Sequence, residues 1–221
     1  MDKLLNRADK TYGRFERAKL THPPEDFLSD VGRLLRMTSD EYTTMWLLAR
    51  GHKPTRTLEE DVTPVSAMWQ EACDGQRHMM YVTDLAWTVV AYNTAFADMF
   101  NSRQVPANTA TWMLLTEEAR HTLKGWRGIW APSVSAQIQA ALVEYPDNAV
   151  LQQIDDEVRA DPVAGPIYSR PDVGSIAPDG VVRPFHHPLY GSGRVKMVAS
   201  APFSSPGARA IIVIFEADDD A

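Results

Sequence analysis

Two adjacent histidines, His186 and His187, are the first candidates for chemistry in this sequence. Histidine titrates near neutral pH and is a common metal ligand. The pair lies in a segment of strand character just before Pro188, and neighbouring residues on a strand point to opposite faces of the sheet. Because no third ligand follows at helical spacing, the pair predicts neither a metal site nor a catalytic pair.

The acidic run Asp155-Asp156-Glu157 is interpreted as the solvated face of a helix rather than a catalytic carboxylate pair. The single cysteine, Cys73, excludes an intramolecular disulfide and a cysteine-based zinc cage, and is expected to fill the core. The sequence has no Gly-rich phosphate loop, nucleophile elbow or HExxH motif. It therefore predicts no enzyme, metal or cofactor; an enzyme built on this fold would have Asp84, His121 or His187 as its acid or base.

The composition is that of an ordinary globular protein: 221 residues, of which 44% are hydrophobic and 23% charged. No apolar run approaches the roughly 20 residues that span a bilayer, and no signal peptide opens the chain. We therefore expect a cytoplasmic protein without a membrane partner. The net charge of −7 is unevenly spread, because residues 1–24 contain six basic and three acidic side chains.

Four segments with helical apolar spacing precede Gly51, and they predict a small all-α domain over residues 1–51. The fourth can begin with a cap at Thr38 or Ser39 and end at Gly51. The stretch that follows is rich in proline and charge, which predicts a linker over residues 52–62. The four predicted helices cover residues 4–8, 11–17, 25–36 and 39–50.

Residues 63–221 change from strand to helix spacing and back, which predicts one α+β domain. A hairpin is predicted over residues 79–83 and 87–92 with its turn at Asp84-Leu85. Prolines then divide a helical middle, and three further strands follow. The last strand, ARAIIVIFEA, is nearly all apolar and is therefore expected to be central. We expect a sheet of about five strands with helices on one face.

The segment YVTDLAWTVVAYNTAFADMF resembles the opening of the PAS-like ligand-binding domain of MmyB-type transcription regulators. The resemblance continues in order through WMLLTEEARHTLKGW, DPVAGPIY and VRPFHHPLYGSGRVKM, and covers about residues 60–217. It implies a PAS-like sheet, with an apolar space between sheet and helices that receives a small apolar or amphipathic metabolite.

Large apolar side chains are the predicted lining of that space, and a few polar side chains would orient the ligand. Each aromatic could instead be ordinary core, and Asn93 could instead cap the helix that begins at NTAF. The predicted apolar contacts are Trp87, Tyr92, Phe96, Phe100, Trp112, Met113, Trp126, Trp130, Ile138 and Leu142, and the predicted polar contacts are Tyr81, Asn93, Arg127 and His187.

The same family normally carries an amino-terminal helix-turn-helix of the XRE type, and residues 1–51 look like its second to fifth helices. By this resemblance the helix near residues 10–17 would enter the DNA major groove. The expected first helix is absent, so either the true start lies upstream or the chain is natural with a weakened DNA reader. The implied DNA contacts are Lys10, Thr11, Tyr12, Arg14 and Arg17.

The resemblance implies a ligand-responsive transcription regulator that acts as a homodimer, because helix-turn-helix readers usually bind paired half-sites. The alternative is a ligand-binding or protein-interaction module that has lost DNA binding through truncation of its helix-turn-helix.

Overall fold

The computed structural model describes residues 1–54, 67–170, 180–202, 205 and 207–218. The chain forms two compact units, Met1–Val62 and Thr63–Ala221. Most of the predicted linker, from residue 55 onward, lies outside the described residues.

The first unit contains three helices in its described residues: α1 (Thr11–Glu16), α2 (Glu25–Leu35) and α3 (Ser39–Arg50). The prediction of a helix over residues 4–8 is wrong, because residues 2–6 form turns and Asn6 has a φ of 49°. The Asp2 carboxylate accepts hydrogen bonds from the backbone N–H groups of Lys10 and Tyr12, at 2.9 and 2.7 Å. These contacts hold residues 2–6 close to the start of α1. A segment of this length is too short to be stable as an isolated helix.

The core of the first unit lies between α2 and α3, where Phe27, Leu28 and Trp46 are fully buried. The cap predicted at Thr38 or Ser39 is confirmed at Thr38, which forms a capping box with Glu41. The Thr38 hydroxyl accepts from the Glu41 N–H, and the Glu41 carboxylate accepts from the Thr38 N–H at 2.8 Å. The two residues thus satisfy donors that the first turn of a helix leaves unpaired.

The second unit is built on a five-stranded antiparallel sheet in the order β2-β1-β5-β4-β3, which confirms the predicted α+β fold with its PAS-like sheet. The nearly all-apolar last strand lies in the middle of this sheet, as its composition predicts. The strands are β1 (Met79–Thr83), β2 (Val89–Tyr92), β3 (Val182–His187), β4 (Gly191–Ser200) and β5 (Arg209–Ala217).

The helices of the second unit follow β2, apart from one that precedes β1. They are α4 (Met68–Asp74), α5 (Thr94–Ala97), α6 (Thr109–Leu115), α7 (Glu117–Thr122), α8 (Trp130–Glu144), α9 (Ala149–Ala160) and α10 (Gly165–Tyr168).

The two faces of the sheet are covered differently. On one face, Tyr81 of β1 and Phe185 of β3 contact aromatic side chains of α5 and α8. On the other face, α4 inserts Cys73, which is fully buried against Met80 and Val82. Cys73 is therefore core filling, as predicted, and β1 is buried on both sides.

The hairpin turn between β1 and β2 holds Trp87 in an unusual conformation. The sequence predicts Trp87 at the start of the second strand, whereas β2 begins at Val89 and Trp87 has a φ of 64°. The Asp84 carboxylate accepts from the backbone N–H groups of Ala86 and Thr88, both at 2.8 Å. These hydrogen bonds place the turn one residue later than the strand pattern predicts. As a result, the bulky Trp87 adopts a backbone conformation that usually favours glycine.

Candidate functional site

Four aromatic side chains form a continuous run from the sheet into the helices. Tyr81 of β1 stacks on Phe96 of α5 with ring centroids 4.3 Å apart, and Phe96 meets Phe100 edge to face at 5.2 Å. Phe100 in turn meets Trp112 of α6 at 5.0 Å. All four are buried. This aromatic run therefore connects β1, α5 and α6 through the predicted ligand-binding layer.

The indole N–H groups of three predicted lining tryptophans already have acceptors within the protein. Trp112 donates to the Glu118 carboxylate at 3.0 Å. Trp126 and Trp130 donate to the backbone carbonyls of Met113 and Pro184, at 2.7 and 3.3 Å. Because these bonds fix the rings, a ligand in this layer would meet their apolar surfaces.

Asn93 is a structural connector. Its carbonyl oxygen accepts from the backbone N–H groups of Met80 and Phe96, both at 3.0 Å. Its amide nitrogen donates to the carbonyls of Gln76 and His78, at 2.8 and 2.7 Å. The side chain thus caps α5 and ties it to β1, and these four bonds use its full hydrogen-bonding capacity.

Other predicted contacts lie nearer the surface. Tyr92 is 41% exposed, and Arg127 is exposed beside an open depression of about 620 Å³ that Trp126 also lines. On the remaining predicted lining, Ile138 is buried, whereas Met113 and Leu142 are half-buried. The role of each as a ligand contact stays a prediction.

The two histidines point to opposite faces, as the strand pattern predicts. His187 is 2% exposed, and its Nδ1 accepts from the Leu189 N–H at 3.2 Å. Burial lowers the pKa of His187, which favours the neutral ring. His186 is half-buried and lies 5.5 Å from the His121 ring. Across the described ranges, no group of three or more His, Cys, Asp or Glu could hold a metal ion.

Two inward-facing arginines were not singled out by sequence reasoning. Arg209 of β5 lies 3.9 Å from the centroid of the Trp87 ring, and donates to the Leu85 carbonyl at 3.1 Å. Arg183 of β3 lies over the Trp130 ring and is buried. Burial lowers the pKa of both guanidinium groups. The alternation of β3, in which Arg183 shares its face with Phe185, was the signal that could have found the second of them.

Asp155, the first residue of the acidic run on α9, has a structural role. Asp155 accepts from the Tyr168 hydroxyl at 2.8 Å and pairs with Arg159 at 2.7 Å. Asp156 and Glu157 are exposed, which agrees with the predicted solvated face.

Asp161 organises the turn that leads into α10. Its Oδ1 accepts from the backbone N–H groups of Val163 and Ala164, at 2.8 and 2.6 Å. It also pairs at 3.1 Å with Arg120, whose guanidinium lies 5.1 Å from the Trp126 ring centroid. Burial alone would raise the pKa of Asp161, but these hydrogen bonds and the nearby charge lower it overall.

Replacing Asp161 with Asn is therefore expected to reduce the free energy of unfolding at pH 7 by about 1–3 kcal/mol. A lowered pKa means that this stabilisation is present above the unfolded-state pKa and is lost as pH falls through the folded-state value. Urea unfolding between pH 2.5 and 7 should show a shallower acid dependence in the variant. The exposed Asp156→Asn change is the matched control, and an Asp161 variant that matches that control at every pH contradicts the expectation.

The predicted DNA contacts lie on or beside α1. Lys10, Arg14 and Arg17 are exposed, and Tyr12 packs against the core of the first unit. The Thr11 hydroxyl donates to the Ala8 carbonyl at 2.7 Å. The exposed basic groups on this short helix are available to phosphates and base edges, and their role stays a prediction.

Comparison with known families assigns the larger part of the chain to one family. Residues 75–221 match the family model of the MmyB-like transcription regulator ligand binding domain. The comparison with curated proteins gives no match. In the portion of the chain that the structure describes, no helix combines the length and apolarity needed to cross a membrane.

Proposed function

Because the chain belongs to the MmyB-like transcription regulator ligand binding domain family, we propose that it is a ligand-responsive transcriptional regulator. The observation that carries the proposal is the family match, which includes all five strands and the helices that cover the aromatic run. The ligand is a small, mostly apolar metabolite. It occupies the layer between the sheet and α5–α8, where buried aromatic surface predominates.

The aromatic run supports a link between occupancy and conformation. Phe96 lies on α5, whose cap Asn93 also bonds to the backbone of Met80 on β1. A ligand that displaces Phe96 or Phe100 would therefore move α5 and α6 together against the sheet. Such a ligand changes DNA affinity only as far as it binds the two arrangements with different affinity.

DNA reading is assigned to the first unit, with Lys10, Arg14 and Arg17 as the cationic contacts. Their exposure on and beside α1 supports this assignment. Binding to paired half-sites would require a homodimer, as for other helix-turn-helix readers.

Replacing Arg14 or Arg17 with Ala is expected to weaken DNA binding by about 5- to 150-fold, the equivalent of about 1–3 kcal/mol for a base contact. A contact to phosphate alone would instead reduce the salt slope by about one. A duplex is first selected from a random pool with the full chain, and affinities are then measured by fluorescence anisotropy between 50 and 300 mM salt.

The matched control for these variants is Arg33→Ala, since Arg33 is also exposed but lies on α2. If the α1 variants and this control bind the selected duplex with equal affinity, α1 is not the helix that contacts DNA.

A module that binds ligand without reading DNA is the second candidate. It is favoured by the small size of α1, which has six residues, none of them fully buried. Failure to enrich any duplex, together with stabilisation of the chain by a metabolite, would select this candidate.

A further inference from the structure

A buried histidine holds the turn between β3 and β4 in place. His187 is the last residue of β3 and is only 2% exposed. Its Nδ1 accepts a hydrogen bond from the backbone N–H of Leu189 at 3.2 Å. Leu189 and Tyr190, which lie within the turn, are 55% and 60% exposed. The side chain of His187 thus ties an exposed turn to the inner face of the sheet.

Aromatic rings surround the imidazole of His187. Its centroid lies 4.6 Å from that of Tyr190 and 5.3 Å from that of Phe215 on β5. Phe185, which precedes it on the same face of β3, lies at 6.4 Å. Tyr190 also stacks on Phe215, with centroids 6.2 Å apart. Tyr190 is therefore held against the sheet through His187 and Phe215, and release of the turn would uncover both of these rings.

The hydrogen bond to Leu189 requires a neutral ring that carries its proton on Nε2. A neutral imidazole has one donor and one acceptor nitrogen, whereas both nitrogens of an imidazolium are donors. A proton on Nδ1 would set two donors against each other, because the Leu189 N–H lies 3.2 Å away. It would also place a charge among aromatic rings and away from water, which is costly. The closed turn therefore disfavours the charged ring.

Charged groups near His187 offset this conflict only in part. Burial is the largest influence and lowers the pKa of His187. The Asp98 carboxylate at the end of α5 opposes that effect, but it pairs with Arg103 at 2.8 Å. His186, the neighbouring residue on β3, lowers the pKa further. Among the described residues that contact the ring, Tyr190 is the further titratable side chain.

We propose that His187 is a pH-sensitive switch, which keeps the β3–β4 turn closed at neutral pH and releases it on acidification. This goes beyond the proposed function, because it makes the second unit respond to protons in the absence of a ligand. A proton taken up from water at Nδ1 replaces the bond from the Leu189 N–H, and the turn opens so that water reaches the charged ring. In the open turn the ring regains its ordinary pKa of about 6.5, so the closed form loses up to about tenfold in relative population per pH unit below that value.

The test is amide hydrogen exchange of the full chain at pH 7.5 and 5.5, measured by mass spectrometry and corrected for the intrinsic pH dependence of exchange. We expect protection of residues 189–192 to fall about three- to tenfold at the lower pH, while β5 stays protected. His187→Asn keeps an acceptor for the N–H two residues further on, but it cannot become charged. This variant should abolish the pH dependence, and His187→Gln is the second variant if the Asn variant does not fold.

His121→Asn is the matched control, because His121 is exposed and its ring contacts His186. This variant should keep the full loss of protection at pH 5.5. The inference is overturned if protection of the turn does not change with pH, if β5 loses protection in parallel, if a His187 variant keeps the dependence, or if the control loses it. None of these measurements involves DNA or a metabolite, so their outcome is separate from that of the proposed function.

Discussion

Replacing Asn93 with Ala is expected to lower the free energy of unfolding of the second unit by about 4 kcal/mol. The change removes an acceptor from the buried N–H groups of Met80 and Phe96 and a donor from the carbonyls of Gln76 and His78. Each buried group left without a partner costs about 1–3 kcal/mol. Equilibrium urea unfolding, followed by tryptophan fluorescence, measures the loss.

Asn148→Ala is the matched control for this prediction. Asn148 also caps a helix, but its side chain accepts one bond, from the Leu151 N–H at 3.0 Å, and it is only half-buried. Loss of an ordinary helix cap costs about 1 kcal/mol. Equal losses in the two variants would show that Asn93 acts as a simple cap rather than as a connector between α5 and β1.

Replacing Phe96 with Ala is expected to cost about 3–5 kcal/mol, the usual range for deleting a buried aromatic ring. The ring is 1% exposed and contacts both Tyr81 and Phe100, so its removal leaves a cavity in the middle of the aromatic run. Phe96→Leu keeps most of the volume and should cost less than about 1.5 kcal/mol.

Val90→Ala on the neighbouring strand β2 is the control for Phe96, because Val90 is largely exposed. A change at such a position should stay within about 0.5 kcal/mol. If Phe96→Ala costs no more than this control, the aromatic run does not hold the helices against the sheet. Because Phe96 also borders the proposed ligand layer, the Ala variant should respond more weakly to stabilising metabolites than Val90→Ala does.

Much of the fold could be predicted from local patterns. The nearly all-apolar composition of the last strand predicted its central place, and a helix cap was predicted at Thr38 or Ser39, which the structure confirms at Thr38. These features depend on burial of a whole strand and on contacts between residues three apart, both of which are visible in the sequence.

Other features depend on pairing between distant residues and could not be predicted in this way. The side chain of Asp2 replaces an expected helix by turns, and that of Asp84 moves the hairpin turn to include Trp87. In the candidate site, a large apolar residue gives the same signal whether it is core or ligand contact. The alternation of β3 predicts that Arg183 faces inward, but the lack of a counter-charge for it among the described residues emerges only when the strands are assembled.

The most direct test of a ligand-responsive regulator is the affinity of the full chain for its selected duplex, measured with and without the metabolite that most raises its unfolding temperature. We predict that a saturating concentration changes the dissociation constant for DNA by at least about fivefold, the lower end of typical coupling between sites. An unchanged dissociation constant at full occupancy would contradict the proposal, because ligand binding and DNA reading would then be independent.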